Sequence, residues 1–113
     1  MQEKIEFLVQ GSASEPYQVK FYKENDNLTA ICNCPAGKNG QYCKHRFLIL
    51  SNDSKGIVSD NLSDVKKVAS WLKGSDVEKA MDELVKREEI EYLAKKETKL
   101  ARKRLAQTMY DWI

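Results

Sequence analysis

The sequence predicts an α+β protein with a small antiparallel β-sheet at the front and a helical C-terminal half. In three short N-terminal segments, large apolar side chains alternate with other residues, which is the period of a β-strand. From Ser75 onward the chain contains no Gly and no Pro, so a long helix can form there. All three Cys and the single His fall in one stretch between these regions, which marks a third, separate feature.

Composition allows one compact domain with a thin core, because 42% of the 113 residues are hydrophobic and 32% are charged. The chain has no apolar run of about 18 residues, the length that a membrane-spanning helix needs. The first six residues have neither the basic tip nor the apolar centre of a secretory signal. We therefore expect a cytoplasmic, intracellular protein in a reducing compartment, where thiols bind metals more often than they form disulfides.

The predicted sheet has three strands, at residues 5–9, 17–21 and 28–32. The loop between the first two ends in Pro16, which cannot donate to a strand ladder. Asn and Asp residues at 25–27 are typical of a tight turn between the second and third strands. Residues 35–40 contain Pro and Gly and predict a tight loop.

Two short helices are predicted next, at residues 45–50 and 63–73, joined by a polar connection over 51–61. In the second of these, four apolar residues share one helix face, and Gly74 stands where a C-terminal cap belongs. Ser75 and Glu78 then form a capping-box pattern that begins the final helix.

The final helix can run from Ser75 to about Trp112, roughly 55 Å at 1.5 Å per residue. Its apolar residues form two stripes that differ by about 120° around the helix axis. Either the helix breaks near residues 86–89, or one rod contacts two different surfaces. We expect the first stripe to pack on the rest of the chain and the second to mediate self-association through residues 90–113. The first stripe comprises Val77, Ala80, Met81, Leu84 and Val85, and the second Ile90, Ala94, Ala101, Leu105, Met109 and Trp112.

The cluster consists of Cys32, Cys34, Cys43 and His45, arranged as two pairs of spacing one with eight residues between them. Three thiolates and one imidazole are a complete tetrahedral set for zinc and leave no position open for water or substrate. The alternatives are three unrelated buried thiols with a surface histidine, an iron–sulfur site, and a catalytic Cys43/His45 dyad. An iron–sulfur site prefers four thiolates, and a dyad leaves the first two cysteines unexplained. We therefore expect one structural Zn²⁺ per chain and no catalytic residues.

The pattern Cys-x-Cys, a short Pro/Gly loop and Cys-x-His resembles the SWIM zinc finger, over roughly residues 15–51. In that family the two Cys end a β-hairpin and the Cys/His pair begins a helix. The resemblance implies that the four clustered residues are the zinc ligands. SWIM modules occur in transposases, chromatin remodellers, ubiquitin-pathway proteins and recombination accessory factors, and are described as binding DNA or proteins. We expect a SWIM-like module with the N-terminal strands at residues 1–51, and a helical region at 52–113. The two regions are expected to pack as one compact unit with a protruding C-terminal helix.

Basic residues are concentrated late in the chain, although the net charge is only +2. Six of them lie within ten residues of the predicted final helix, and three more lie beside the cysteine cluster. Such a surface can contact phosphates, or it can be a solvated helix face on which Glu91 supports Lys95 at a spacing of four. The nucleic-acid candidates are Lys38, Lys44, Arg46, Lys95, Lys96, Lys99, Arg102, Lys103 and Arg104.

These observations favour a zinc-stabilised binding module over an enzyme. DNA is the favoured ligand, because the basic residues are more concentrated than solubility requires. The alternative is a protein-interaction adaptor or inhibitor that uses the final helix. Neither a membrane nor a small-molecule substrate is expected as a partner.

Overall fold

The structure, a computed structural model, describes residues 2–110 and confirms the α+β class. A three-stranded antiparallel sheet is followed by helices, of which the last is long. The elements are β1 (Glu3–Val9), β2 (Tyr17–Glu24), β3 (Asn27–Cys32), α1 (Pro35–Lys38), α2 (Lys44–Leu50), α3 (Asp64–Leu72) and α4 (Asp76–Tyr110).

The sheet has the order β1-β2-β3 and buries one face. Phe7 pairs with Val19 across β1 and β2, and Phe21 pairs with Ala30 across β2 and β3. The Phe7 and Phe21 rings are fully buried and meet edge to face, with centroids 6.0 Å apart. All three predicted strands are present. The β2–β3 hairpin extends to a tight turn in which Asn25 adopts a φ of 54°.

Both edges of the sheet are occupied by other parts of the chain. The segment 51–61, predicted as a simple connection, also bonds to the outer edge of β1. There, the Gln10 N–H donates to the Gly56 carbonyl and the Val58 N–H donates to the Leu8 carbonyl, each at 2.8 Å. On the outer edge of β3, the Leu28 N–H donates to the Asp76 carboxylate at 2.9 Å. These bonds satisfy backbone groups that an open edge would leave exposed.

Helix α3 lies against α2 and buries Val65, Val68 and Trp71. Its C-terminal end is held by β2, because the Lys23 ammonium donates to the Trp71 carbonyl at 3.0 Å. Gly74 adopts a φ of +75°, which confirms the predicted glycine cap after this helix.

The start of α4 is fixed by the predicted capping residues. The buried Ser75 hydroxyl accepts a bond from the Glu78 N–H at 3.1 Å, and the Glu78 carboxylate accepts one from the Gly74 N–H at 3.0 Å. The Asp76 carboxylate accepts bonds from the N–H groups of Leu28 and Val77. The bond from Leu28 is the main reason that the pKa of Asp76 lies below its ordinary value. The β3 edge and the helix start are thereby connected.

Helix α4 is continuous from Asp76 to Tyr110, so the break considered near residues 86–89 does not occur. The expected packing of the whole first stripe is also wrong. Val77 and Met81 are half-buried, whereas Ala80, Leu84 and Val85 are exposed. Strong intrinsic helix propensity, with no Gly or Pro to stop propagation, extends the helix beyond the residues that pack. Trp112, the last residue of the second stripe, lies outside the described residues.

The chain divides into two units, Met1–Lys79 and Ala80–Ile113. The first unit contains the sheet, α1, α2, α3 and the first turn of α4, and the second contains the rest of α4. The domain boundary predicted after residue 51 lies within the first unit. Among residues 2–110, no helix combines the length and apolar character needed to cross a membrane.

Candidate metal centre

The β2–β3 hairpin delivers the first two cysteines. Cys32 is the last residue of β3 and Cys34 is the N-cap of α1. Asn33, between them, forms two hydrogen bonds with Gln18 of β2, one through its side chain and one through its backbone. Its side-chain oxygen accepts from the Gln18 N–H at 2.8 Å, and its own N–H donates to the Gln18 carbonyl at 3.2 Å. These two bonds hold the Cys-x-Cys segment against the neighbouring strand.

The loop predicted at residues 35–40 contains a single helical turn, α1. The N–H of Gly37 in this turn donates to the Cys34 sulfur at 3.3 Å. A Cβ atom at Gly37 would lie 2.3 Å from the Cys32 carbonyl oxygen, much closer than real contacts allow. Only glycine therefore lets this turn pass so close to the end of β3.

Helix α2 delivers the second pair of ligands. Cys43 is its N-cap and His45 lies in its first turn. The His45 ring packs beside the Tyr17 ring, with centroids 5.1 Å apart, and the loop at Gly11 approaches the far ring nitrogen. This packing directs Nδ1 of His45 toward the cysteine sulfurs.

The four donor atoms lie within 4.8 Å of one another and form a group that can hold a metal ion. The Cys34 and Cys43 sulfurs are 3.4 Å apart, and His45 Nδ1 lies 3.5 Å from the Cys43 sulfur and 3.8 Å from the Cys32 sulfur. A tetrahedral zinc ion with ordinary bond lengths would separate two sulfurs by about 3.8 Å, and a sulfur and a nitrogen by about 3.6 Å. Three thiols and one imidazole are donors that zinc accepts, and these three separations lie within about 0.4 Å of the tetrahedral values.

The environment of the donor group shifts the pKa values of its members in different directions. All three thiols are buried and free of disulfides. Burial raises the pKa of the Cys32 thiol to about 12. Burial also opposes ionisation of Cys43, but bonds from the Arg46 and His45 N–H groups and from the neighbouring thiols outweigh it and lower the pKa of Cys43. Burial and the charge of Lys44 lower the pKa of His45, which favours the neutral imidazole that a metal requires.

The nucleic-acid candidates near the cluster have two different settings. Lys38 and Lys44 are exposed. Arg46 is half-buried, and its guanidinium donates to the Ala30 carbonyl at 3.1 Å and to the Gln41 carbonyl at 2.6 Å. Arg46 thus joins the metal-ligand loop to the outer edge of β3, a structural role that its position beside Lys44 in the sequence does not reveal.

The remaining candidates are exposed on α4, in the second unit, where Lys95 is paired with Glu91 at 3.1 Å. This is the ion pair that the spacing of four residues predicts. The exposed candidates on this helix are Lys95, Lys96, Lys99, Arg102, Lys103 and Arg104.

An exposed aromatic residue beside the cluster was not identified from the sequence. Tyr42 is 64% exposed and stacks on Phe47, with ring centroids 4.2 Å apart and planes 12° apart. Tyr42, Tyr17 and Lys44 contribute to the wall of a cavity of about 440 Å³ beside the ligands. The spacing of Tyr42 and Phe47, five residues apart across a helix start, does not by itself indicate a stack.

Comparison with known proteins gives no match to this chain among family models, curated proteins or solved structures.

Proposed function

We propose that this chain is a zinc-stabilised module of the SWIM type that binds DNA. The observation that carries the zinc assignment is the closed group of four donors, Cys32, Cys34, Cys43 and His45. Their positions at the end of a β-hairpin and at the start of a helix support the resemblance to SWIM zinc fingers.

The zinc is proposed to be structural. Zinc with four protein ligands supplies a cross-link and has no position for water or substrate. Here the cross-link would join β3, α1 and the start of α2, three elements of a small core. Binding, not catalysis, is therefore the proposed activity.

Two basic surfaces support DNA as the ligand. On the first unit, exposed Lys38 and Lys44 lie on either side of the exposed Tyr42 in the sequence, and an aromatic ring beside ammonium groups suits nucleic acid. On the second unit, six basic residues occur within residues 95–104 of α4, all exposed. Each phosphate that such a group neutralises adds salt-dependent affinity.

The zinc assignment is tested by metal analysis of the purified chain. We expect one zinc per chain, and a Cys43→Ser variant with strongly reduced zinc content. Tyr42→Ser, which introduces the same residue at the neighbouring exposed position, is the control and should keep its zinc. A Cys43→Ser variant with full zinc occupancy would overturn the assignment.

DNA binding is tested by a salt titration on one duplex. Replacing Lys96, Lys99 and Lys103 by Ala should reduce the slope of log affinity against log salt by about 2–3 units, because about three phosphate contacts are lost. Three other exposed lysines, Lys55, Lys66 and Lys73, provide a control with the same change in charge.

The control variant should bind with the original slope. Equal slopes in the unmodified chain and both variants would mean that the basic segment of α4 is only a solvated face. No binding at low salt would overturn DNA as the ligand while leaving the zinc assignment intact.

A protein partner is the second candidate function, and one observation favours it. Among the described residues of α4 none is buried, although several are large and apolar.

A further inference from the structure

We propose that two copies of this chain pair in antiparallel orientation through α4. The inference is independent of DNA binding and rests on residues 80–105. It begins from exposure, because a helix in a protein normally obtains most of its stability by packing against another surface. Over these residues α4 instead leaves Leu84 38% exposed, Ile90 58% and Leu105 58%.

The charge of α4 changes sign along its length. Residues 82–91 contain five acidic and two basic side chains, and residues 95–104 contain six basic and one acidic. A second copy aligned antiparallel places each acidic segment against a basic one. A second copy aligned in parallel places like charge against like charge.

One face of the helix has the spacing of a coiled-coil seam. Residues recur there at alternating intervals of four and three, and most are apolar or small, which allows close approach of two helices. Two charged residues complete the seam, and each forms an ion pair with a residue four positions away on the same helix. Arg87 pairs with Glu83 at 3.0 Å, and Glu91 pairs with Lys95 at 3.1 Å. The other seam residues are Ala80, Leu84, Ala94, Thr98, Ala101 and Leu105.

One antiparallel register satisfies both the seam and its flanks. It places Leu84 of one copy against Ala101 of the other and, by the same register, Ala80 against Leu105, so large side chains meet small ones. On the flanks it places Glu88 opposite Lys95 and, in the same way, Glu83 opposite Arg104. The remaining flanking pairs, Met81 with Arg102 and Ile90 with Glu97, contain no like charges.

A parallel in-register pair is unfavourable because it brings like charges together. Arg87 would meet Arg87 of the second copy in the seam, and Glu91 would meet Glu91. Glu83 would also face Glu88 on the flank, so the parallel arrangement concentrates repulsion. Lys96 and Lys103 lie at the heptad position opposite the seam, so pairing leaves them available for phosphate.

The test is sedimentation equilibrium of the full zinc-loaded chain at micromolar concentration, with far-UV circular dichroism to confirm the helix. We expect a dimer. Reversing the acidic flank (Glu83→Lys with Glu88→Lys) or the basic flank (Lys95→Glu with Arg104→Glu) should raise the dimer Kd by at least about tenfold. The four substitutions together restore opposite charges between the two copies only in the antiparallel register. Because Glu83→Lys and Lys95→Glu also break the ion pairs with Arg87 and Glu91 within each helix, the expected recovery is partial, to a Kd clearly below that of either double variant.

The matched control reverses Asp82 and Glu89 to Lys, the adjacent acidic residues at the heptad position opposite the seam. This variant should dimerise like the unmodified chain. Any of three outcomes would overturn the proposal. They are an unmodified chain that stays monomeric, a control variant whose dimer Kd rises as much as that of the flank variants, and a fourfold variant whose Kd does not recover. A monomer that uses this face of α4 to bind a DNA duplex or a different protein would overturn it as well.

Discussion

The donor group depends on residues that ligate nothing. Gly37 is the clearest case, since its backbone lies against the Cys32 carbonyl and its N–H donates to the Cys34 sulfur. Asn33 and Arg46 act similarly by bonding the ligand segments to β2 and to the outer edge of β3. At the residue scale, the candidate centre is thus a set of four donor residues whose segments are held in place by hydrogen bonds to the sheet.

Gly37→Ala provides a test at this scale. The added Cβ would lie 2.3 Å from a backbone oxygen, so the α1 turn must shift and the donor spacing with it. We expect a loss of about 1–3 kcal/mol in the free energy of unfolding, the usual cost of overpacking, together with weaker zinc binding. Chemical denaturation and competition with a chromophoric zinc chelator measure the two effects.

Gly40→Ala is the control for that substitution. Gly40 has a φ of +68°, but a Cβ there meets no atom within 4 Å. Alanine should therefore cost about 1–2 kcal/mol for the left-handed backbone and leave zinc affinity unchanged. Equal zinc affinities for the Gly37 and Gly40 variants would contradict the role given to Gly37.

At the scale of elements, the junction between α3 and α4 is held by several side-chain hydrogen bonds. The fully buried Ser75 hydroxyl donates to the Leu72 carbonyl at 2.7 Å and accepts from the Glu78 N–H, so it joins the end of one helix to the start of the next. Asp76 adds the connection to β3 through the Leu28 N–H. The start of the long helix is therefore determined within the first unit.

Ser75→Ala tests this junction. The substitution removes the N-cap acceptor and leaves the half-buried Glu78 N–H without its partner, so we expect a loss of about 1–2 kcal/mol in the free energy of unfolding. Ser70→Ala removes an exposed hydroxyl inside α3 and should change stability by less than about 0.5 kcal/mol. Denaturation in urea compares the two, and equal midpoints would show that the cap contributes nothing.

At the scale of the whole molecule, the two units obtain their stability in different ways. The first has a buried core that includes Phe7, Phe21 and Val68, with the three buried thiols at its margin. The second is helix alone, and none of its described residues is buried. A metal bound by the four donor residues would add folding free energy to the first unit, because all four lie there.

Metal removal is accordingly expected to act on one unit. After chelation, amide hydrogen exchange should rise first and most in residues 15–51, which contain β2, β3, α1 and α2. Exchange in α4 beyond Lys79 should change little when measured at the same protein concentration. Hydrogen exchange with mass spectrometry resolves the two regions, and a uniform increase along the chain would contradict this division.

Local pattern in the sequence was sufficient for the strands, the starts of α2, α3 and α4, and the donor group; it predicted only a loop where α1 lies. Alternating apolar residues predicted β1, β2 and β3, and Gly74 with Ser75 and Glu78 marked the end of α3 and the start of α4. The donor group was evident because every Cys and His of the chain lies within one short segment. These features depend on neighbours a few residues apart, and sequence patterns report such neighbours directly.

Contacts between segments that are distant in the sequence were determined only by the tertiary structure. Three contacts join segments that show no mutual pattern in the sequence. Gly56 and Val58 form hydrogen bonds with β1, and Arg46 forms one with β3. The backbone of Gly37 lies close to the Cys32 carbonyl. The extent of packing along α4 was also decided there. Helix propensity accumulates residue by residue, so the sequence determined that a long helix forms, whereas burial requires a facing surface. In the structure Val77 and Met81 are half-buried, whereas Leu84 is exposed.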